Sequence, residues 1–405
     1  MKIKAYSGIC AGILSLSLLQ AISLPPGADA ARPDAARPDA ARPDAARPDA
    51  ARPDAARQLI ESLNLEVAPT AVSSHPRWKP ARVVVSLPRG MAGNDSYLKQ
   101  LQATAGEVTL VVDDSGAFVP TQDTLAGADA YIGFCTTDML ANADSGLLWI
   151  HSYTVGMDRC SGASDALQAD RIFTNNQRLS GPTIAEHGIA MLLAISRGLP
   201  AYSAAQAERQ WRRELSAELG FGELAGKTML VAGLGGIGTE VARRAHGLGM
   251  RVTATRNSSR EGPDFVAYVG LADELGTLAS EADVVVNALP LTEQTAGLFD
   301  AELFARIKPG AIYINVGRGQ TTDTSALVAA LESGHLYGAG LDVTDPEPLP
   351  EDSPLWRLPN VIITPHVAAA GGDSLQRTAL IATENLRRYV SGEPLLNLVD
   401  LQAGY

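Results

Sequence analysis

The chain has 405 residues, of which 46% are hydrophobic and 19% are charged, and its formal net charge is −12 at pH 7. This length and composition allow two domains with hydrophobic cores of their own. The acidic balance argues against nucleic acid or an anionic membrane surface as the main partner.

The first 30 residues have the pattern of a secretory signal peptide. Two lysines precede an apolar run from Ile9 to Leu24, and Ala28-Asp29-Ala30 is a small-x-small cleavage pattern. The run is short for a membrane span of roughly 20 residues, and no Arg-Arg pair precedes it. We predict export to the periplasm or the medium, with no membrane span after removal of the leader. The alternative is a misassigned start codon on a cytoplasmic protein.

The sequence ARPDA then occurs five times between Ala31 and Ala55. A five-residue unit with a proline and balanced charges cannot bury a core, so it predicts a disordered tether over residues 31–75. The period is far shorter than that of solenoid repeats, which excludes a repeat fold. A neutral repeat expansion is favoured over a specific binding role.

After the tether, short apolar runs alternate with helical patterns. Strands are predicted at ARVVVSLP, EVTLVVDD, DAYIGF and LLWIHS, and such alternation is typical of a parallel sheet. A long apolar helix begins at SGPTIAEHG, and we place a domain boundary within it, near Ser180 to Leu199. Cys135 follows the third run and Cys160 comes after the fourth. Both are expected to be buried thiols; they could pair if the protein is exported. The cysteines lack metal-ligand spacing, so no metal is expected.

A second alternating series predicts six strands: Thr228–Ala232, Arg251–Thr255, Asp283–Leu289, Ala311–Val316, Gly338–Val343 and Val361–Thr364. With helical material between most of them, they match a doubly wound nucleotide-binding domain. The last amphipathic helix, DSLQRTALIATENLRRYVSG, is expected to pack back on the first domain. The predicted fold is therefore α/β with two doubly wound parallel-sheet domains. A Rossmann cofactor domain (183–367) is inserted in a flavodoxin-like substrate domain (76–182 and 368–405).

A glycine-rich turn lies between the first strand of the cofactor domain and the next helix. Its residues are Gly233-Leu234-Gly235-Gly236-Ile237-Gly238. Gly233 suits the tight turn, Gly235 the close approach of a pyrophosphate, and Gly238 the packing of helix on strand. The helix N-terminus adds amides and partial positive charge for the phosphates. We predict that these six residues bind the diphosphate of a nicotinamide dinucleotide, although a glycine turn alone could be purely structural.

The second strand of that domain ends with Arg256, where a carboxylate would contact a free ribose 2′-hydroxyl. A carboxylate there repels a 2′-phosphate, whereas an arginine attracts one. Arg256 and Arg260 supply charge, and Asn257 and Ser258 supply hydrogen-bond donors. We predict a preference for NADP(H) over NAD(H); the alternative is a solvated turn with incidental arginines.

Three charged residues, Arg318, Glu347 and His366, follow the last three predicted strands. Because the carboxyl ends of parallel strands share one edge, these residues should converge on the nicotinamide crevice. Arg318 can hold the carboxylate of a 2-keto acid and polarise its keto oxygen, and His366 can protonate that oxygen as hydride arrives. Glu347 would orient the imidazole and stabilise its protonated form. Each residue alone has a structural explanation, but the three in order at strand ends favour catalysis.

The segments LLWIHSYTVGMD, VAGLGGIG, NALPLTEQTAGLF, INVGRG, AGLDVTDPEPLP and LPNVIITPH closely resemble signatures of the D-isomer-specific 2-hydroxyacid dehydrogenase family. The resemblance covers nearly all of the predicted folded chain. It implies that Arg318, Glu347 and His366 are the catalytic residues and that backbone amides near Val155 and Gly156 hold the substrate carboxylate.

The resemblance also implies that Leu289, Val316 and Asp342 line the nicotinamide side and that two subunits form a homodimer. The turn at Arg256 is similar to that of family members that reduce glyoxylate and hydroxypyruvate with NADPH. The expected activity is thus NADPH-dependent reduction of a small 2-keto acid to the D-2-hydroxy acid. Two alternatives stay open: a non-catalytic NAD(P)-sensing dimer of the corepressor type, and a phosphite or formate dehydrogenase. Formate enzymes carry glutamine where Glu347 stands, which argues against formate.

Overall fold

The computed structural model describes residues 53–87, 95–113, 115, 119–168, 170–217, 220–257 and 259–401. Within them, the strands are β1 (Arg82–Ser86), β2 (Thr109–Asp113), β3 (Ala130–Gly133), β4 (Trp149–Ser152), β5 (Ile172–Thr174), β6 (Thr228–Ala232), β7 (Arg251–Arg256), β8 (Tyr268–Leu271), β9 (Val284–Asn287), β10 (Ala311–Asn315), β11 (Leu336–Leu341) and β12 (Val361–Ile363). The α-helices are α1 (Pro53–Leu63), α2 (Asp95–Ala105), α3 (Gln122–Leu125), α4 (Thr137–Asn142), α5 (Asp158–Ser161), α6 (Asp165–Gln168), α7 (Gly181–Ser196), α8 (Leu199–Ala207), α9 (Gly236–Gly247), α10 (Leu275–Glu281), α11 (Ala301–Arg306), α12 (Thr324–Glu332) and α13 (Gly372–Ser391). The predicted signal peptide and the ARPDA units before Pro53 lie outside the described residues.

The first sheet has five parallel strands in the order β2-β1-β3-β4-β5. Alternate residues of β1 enter different hydrophobic clusters, Val83 and Val85 on one face and Val84 on the other. Both faces are therefore buried, as is usual when helices connect parallel strands. The sequence did not predict β5, whose three residues are too few for a periodic pattern.

The second sheet has seven parallel strands in the order β12-β11-β10-β9-β6-β7-β8. The predicted fold class, two doubly wound parallel sheets, is confirmed. The six predicted strands are present: the first has the predicted bounds, the second is one residue longer, and the others are shifted or shortened by one to three residues. The edge strand β8 was not predicted. The strand order reverses direction at β6, and such a switch point opens a crevice at the carboxyl edge of the sheet.

The C-terminal helix α13 packs on the first sheet rather than the second. Its Tyr389 is buried and stacks on Trp149 of β4 with ring centroids 4.8 Å apart. The Tyr389 hydroxyl lies 2.9 Å from a carboxylate oxygen of Asp129, and its carbonyl accepts a hydrogen bond from the Trp78 indole at 2.9 Å. Residues that precede the second sheet in the sequence and residues that follow it thus both pack in the first domain. The division at residues 182 and 367 stays a prediction.

The expectation of a disordered tether through residue 75 is wrong from Pro53 onward. The helix α1 occupies Pro53–Leu63, and Leu65 after it is 5% exposed in a cluster with Leu396. Val67 then forms an antiparallel bridge with Leu396. The physical reason is the apolar spacing in RQLIESLNL, which gives α1 a face that packs on the cluster; the proline-containing repeat lacks such a face.

Cys135 and Cys160 form a disulfide, with their Cα atoms 5.5 Å apart, contrary to the expectation of two buried thiols. Both residues are buried, at 5% and 0% exposure. The bond joins the residue two positions before α4 to α5. The sequence favoured thiols because two cysteines 25 residues apart have no recognisable framework, and only the fold brings α4 and α5 together.

No helix in the described ranges has the length and apolarity needed to cross a membrane.

Candidate active site

The residues predicted from strand ends lie along one edge of the seven-stranded sheet. Because all strands are parallel, their carboxyl ends meet at that edge. In the order of the strands from β12 to β7, the edge carries His366, Glu347, Arg318, Leu289, the glycine turn and Arg256. The sheet therefore arranges these residues in one row, centred on the switch point at β6.

The glycine turn has the backbone and spacing that a bound dinucleotide requires. Gly233 has φ +92°, a conformation that favours glycine, and a Cβ on Gly238 would overlap the Gly233 carbonyl and lie 2.9 Å from Val231 Cγ1. A Cβ on Gly235 would meet nothing within 4 Å, so the side from which a pyrophosphate would approach is open. The helix α9 begins directly after it at Gly236, with its amide groups at the turn. These residues fit a nicotinamide dinucleotide.

His366 and Glu347 form a pair. The Nδ1 atom of His366 is 3.0 Å from Glu347 Oε2, and the other oxygen of Glu347 accepts the backbone N–H of Thr344 at 3.1 Å. Because a carboxylate only accepts hydrogen bonds, Nδ1 carries the hydrogen, and Nε2 is the ring nitrogen left for a substrate. The His366 side chain is 49% exposed and its φ is +54°, a strained conformation outside glycine that is common at functional sites.

Asp342 holds the backbone that carries His366. Its carboxylate is 3% exposed and accepts the amides of Val367 and Ala368 at 2.9 Å each. It also accepts the hydroxyl of Thr364 at 2.6 Å, and that hydroxyl is 2.8 Å from His187 Nε2. Since the Thr364 hydroxyl donates to Asp342, it accepts from His187, which places a hydrogen on Nε2. The network fixes the loop in the strained conformation.

Arg318 lies against the loop that follows β4. Its Nε and Nη2 both donate to Asp158 Oδ1, at 3.1 Å each, and its Nη1 donates to the carbonyl of Gly317 at 2.9 Å. A Cβ on Gly156 would overlap Arg318 Nη2, so the loop backbone is in contact with the guanidinium. The Asn175 side chain holds this loop through the carbonyl of Val155 at 2.6 Å. The predicted substrate loop and the predicted arginine are thus adjacent.

Leu289 lies between the glycine turn and the residues that follow β10. A Cβ on Gly233 would stand 3.1 Å from Leu289 Cδ2, and one on Gly317 would stand 2.7 Å from the Leu289 carbonyl. Val316, one residue before Gly317, is 4% exposed and packs against α7 near Gly188. These contacts place Leu289 beside the turn and Val316 against α7.

The structure separates the predicted phosphate residues into two settings. Arg256 donates from Nε to the carbonyl of Leu234 in the glycine turn at 3.1 Å, so it lies over the turn. Arg260 donates to the Tyr268 hydroxyl at 2.8 Å and forms an ion pair with Glu274 at 2.7 Å. The pKa of Glu274 is below its usual range because the Tyr268 hydroxyl, the Leu271 amide and Arg260 all stabilise the carboxylate.

Asn257 is exposed beside Arg256, and Ser258 lies outside the described residues. In the part of the chain that is described, no three His, Cys, Asp or Glu residues are grouped as metal ligands.

Two residues that contact the site were not predicted. They are His187 on α7 and Asp158 at the start of α5. A signal for Asp158 exists in TVGMD, since it follows Gly156 by two residues and offers a carboxylate near the arginine. No sequence signal links His187 to Thr364, because 177 residues separate them.

Two doubly wound sheets with a dinucleotide turn at the switch point define a class of nucleotide-dependent enzymes. The family model for the NAD binding domain of D-isomer specific 2-hydroxyacid dehydrogenases matches residues 189–368. Glyoxylate/hydroxypyruvate reductase B from Escherichia fergusonii is 36% identical over 240 residues, which are 59% of this chain and 74% of the relative.

Two solved structures are similar over most of this chain. A D-isomer specific 2-hydroxyacid dehydrogenase from Xanthobacter autotrophicus Py2, in complex with NADPH and MES, has a TM-score of 0.66 and 29% identity over 80% of this chain and 99% of its own. The NADPH-dependent glyoxylate/hydroxypyruvate reductase of Sinorhizobium meliloti, in complex with NADP and sulfate, has a TM-score of 0.66 and 26% identity over 80% and 100%. The chain belongs to the D-isomer specific 2-hydroxyacid dehydrogenase family. It is an NAD(P)-dependent oxidoreductase that acts on CH–OH groups.

Proposed function

We propose that this protein reduces a small 2-keto acid to the D-2-hydroxy acid with NADPH. The observation that carries the proposal is the row of groups at the carboxyl edge of the second sheet. It contains a His366–Glu347 pair at 3.0 Å and an arginine in contact with the Gly156 loop. An acid, a cation and backbone amides beside a dinucleotide turn are what reduction of a keto acid needs.

Each residue has one task in this reaction. Arg318 and the amides near Val155 and Gly156 hold the substrate carboxylate. His366 donates the proton from Nε2 to that oxygen, and Glu347 keeps the ring oriented through Nδ1. A bound NADPH would supply the hydride for this reduction. Leu289 and Val316 exclude water from the side of the nicotinamide.

The preference for NADPH is supported by Arg256. No carboxylate stands at the end of β7, and the guanidinium lies over the glycine turn, where an adenosine 2′-phosphate would approach. Asn257, which is exposed beside it, adds donors, and the sequence places Ser258 directly after Asn257. The ion pair of Arg260 with Glu274 reduces the share of Arg260 in phosphate binding, so Arg256 supplies most of the positive charge. The Sinorhizobium neighbour, whose name states NADPH dependence, supports the same preference.

Glyoxylate and hydroxypyruvate are the proposed substrates, since the relative from Escherichia fergusonii and the Sinorhizobium neighbour are both named for them. The test is the loss of NADPH absorbance at 340 nm on adding either acid, followed by a panel of other 2-keto acids. We expect steady turnover with wild type. His366→Gln should lose at least about a hundredfold in kcat, because the proton donor is removed, with KM for NADPH unchanged.

The same assay can contradict the proposed function. A wild-type protein that binds NADPH but turns over none of the 2-keto acids would do so. Equal turnover by His366→Gln and wild type would instead exclude His366 as the proton donor.

A further inference from the structure

Arg318, which follows β10 of the second sheet, contacts the carboxylate of Asp158 in the first domain. Asp158 is the first residue of α5, and its Oδ1 accepts both the Nε–H and one Nη2–H of Arg318 at 3.1 Å. Both side chains are partly buried, Arg318 at 24% and Asp158 at 30% exposure. The family resemblance assigns no role to this contact.

The hydrogen bonds of Arg318 leave one defined edge of the guanidinium for a ligand. Of its five N–H groups, Nε–H and one on Nη2 donate to Asp158, and one on Nη1 donates to the Gly317 carbonyl. Within the described part of the chain, the two N–H groups that remain are one on Nη1 and one on Nη2. This is a pair that can bind both oxygens of a carboxylate in parallel.

The Gly156 backbone limits where such a carboxylate can lie. Because a Cβ at Gly156 would overlap Nη2 and lie 2.6 Å from Asp158 Oδ1, the loop backbone stands beside Nη2 and Asp158. The Thr154 hydroxyl holds this backbone by donating to the Gly156 carbonyl at 2.8 Å. A carboxylate on the remaining edge of Arg318, which shares Nη2, therefore lies next to the loop.

We propose that Asp158 is a positioning residue, which fixes the plane of the Arg318 guanidinium so that its Nη1/Nη2 edge receives the substrate carboxylate. The proposal rests on the proposed function, because it takes Arg318 as the carboxylate-binding residue. An arginine has several rotatable bonds, and among its hydrogen bonds to the described residues only the one to the Gly317 carbonyl would restrain it without Asp158. Misorientation of a group that holds the substrate lowers the rate steeply.

The test compares Asp158→Ala, Asp158→Asn and wild type, with Asp138→Asn as the matched control. Asp138 is exposed in the first turn of α4, which packs against α5, so its change removes the same charge nearby without touching Arg318. We measure kcat and KM for glyoxylate, KM for NADPH, and thermal unfolding. The affinity of the enzyme–NADPH complex for oxamate, a carboxylate beside a carbonyl that is not reduced, is measured by titration calorimetry.

We expect Asp158→Ala to lower kcat/KM for glyoxylate by roughly ten- to a hundredfold and to weaken oxamate binding at least about tenfold. KM for NADPH and the melting temperature should stay at the wild-type values, as should every value for Asp138→Asn. Asp158→Asn should recover part of the loss, because its amide oxygen can accept the same two N–H groups.

Two results would overturn the proposal while leaving the proposed function intact. One is an Asp158→Ala enzyme that binds oxamate as tightly as wild type, which would show that Asp158 does not position Arg318. Tighter binding by the variant would show that Asp158 competes with the substrate for Arg318. The other is an equal loss in NADPH affinity or melting temperature, which would make Asp158 structural. A wild type that binds oxamate without reducing any 2-keto acid would contradict the proposed function alone. A wild type that neither binds oxamate nor reduces would overturn both.

Discussion

Arg256 is the residue on which the choice of dinucleotide depends most. It ends β7 and lies over the glycine turn through its bond to the Leu234 carbonyl. Arg256→Asp replaces attraction of a 2′-phosphate by repulsion and restores an acceptor for a free 2′-hydroxyl. We expect kcat/KM with NADPH to fall by roughly a hundredfold and kcat/KM with NADH to rise, measured with the same keto acid.

Arg251 offers a matched control for this change, because it is an exposed arginine at the other end of the same strand. Arg251→Asp alters the net charge equally and should leave the ratio of the two kcat/KM values at the wild-type value. An Arg256→Asp enzyme that keeps its preference for NADPH would refute the role of Arg256.

Among single residues, the sequence predicts candidates for the site better than it predicts their contacts. Arg318, Glu347 and His366 are candidates because strand ends of a parallel sheet meet at one edge, a rule that needs no coordinates. The partner of Arg260 was not found, since Glu274 lies on a separate element after β8. Whether a surface arginine is already paired depends on side-chain placement, which local patterns do not encode.

Among the elements, the predicted strands are the long apolar ones. The missed strands β5 and β8 have three and four residues, and β8 begins with the exposed Tyr268, so neither gives a buried run or a clear alternation. The helix α1 was not predicted, because its first residues belong to the last ARPDA unit. Its folding depends on tertiary packing against the Leu65 cluster, which the local sequence does not show.

The disulfide between Cys135 and Cys160 ties α5 to the residues before α4. In a protein purified without reductant, peptide mass mapping should find the two cysteines in one linked species that separates on reduction. Closing a loop of this size restricts the unfolded chain, so reduction should lower the free energy of unfolding by about 3 kcal/mol. Thermal unfolding with and without a dithiol measures the change.

The Cys135→Ser/Cys160→Ser double variant is the control for this effect. It should unfold at one temperature whether or not the dithiol is present, and that temperature should match the reduced wild type. Recovery of both cysteines as alkylated thiols without prior reduction would show that the pair does not form.

For the molecule as a whole, His151 couples stability to pH. It is 0% exposed on β4, and burial lowers its pKa to about 3 from the ordinary value of 6.5. Its Nδ1 lies 2.9 Å from the Thr174 hydroxyl, in the core beneath α13. As the pH falls below 6.5, the unfolded chain binds a proton at this histidine that the folded protein cannot bind. Stability present above pH 6.5 is therefore lost toward pH 3.

The pH dependence of the unfolding free energy should therefore differ between wild type and variants whose residue 151 does not titrate. From pH 7 to pH 5, wild type should lose about 2 kcal/mol of unfolding free energy more than His151→Gln, at about 1.4 kcal/mol per pH unit below 6.5. Urea denaturation followed by tryptophan fluorescence is suitable, because Trp149 lies 6.1 Å from the His151 ring. His151→Asn should give the same pH dependence as His151→Gln even if the two differ in stability at pH 7. Parallel curves for wild type and both variants would mean that His151 is not the group that binds the proton on unfolding.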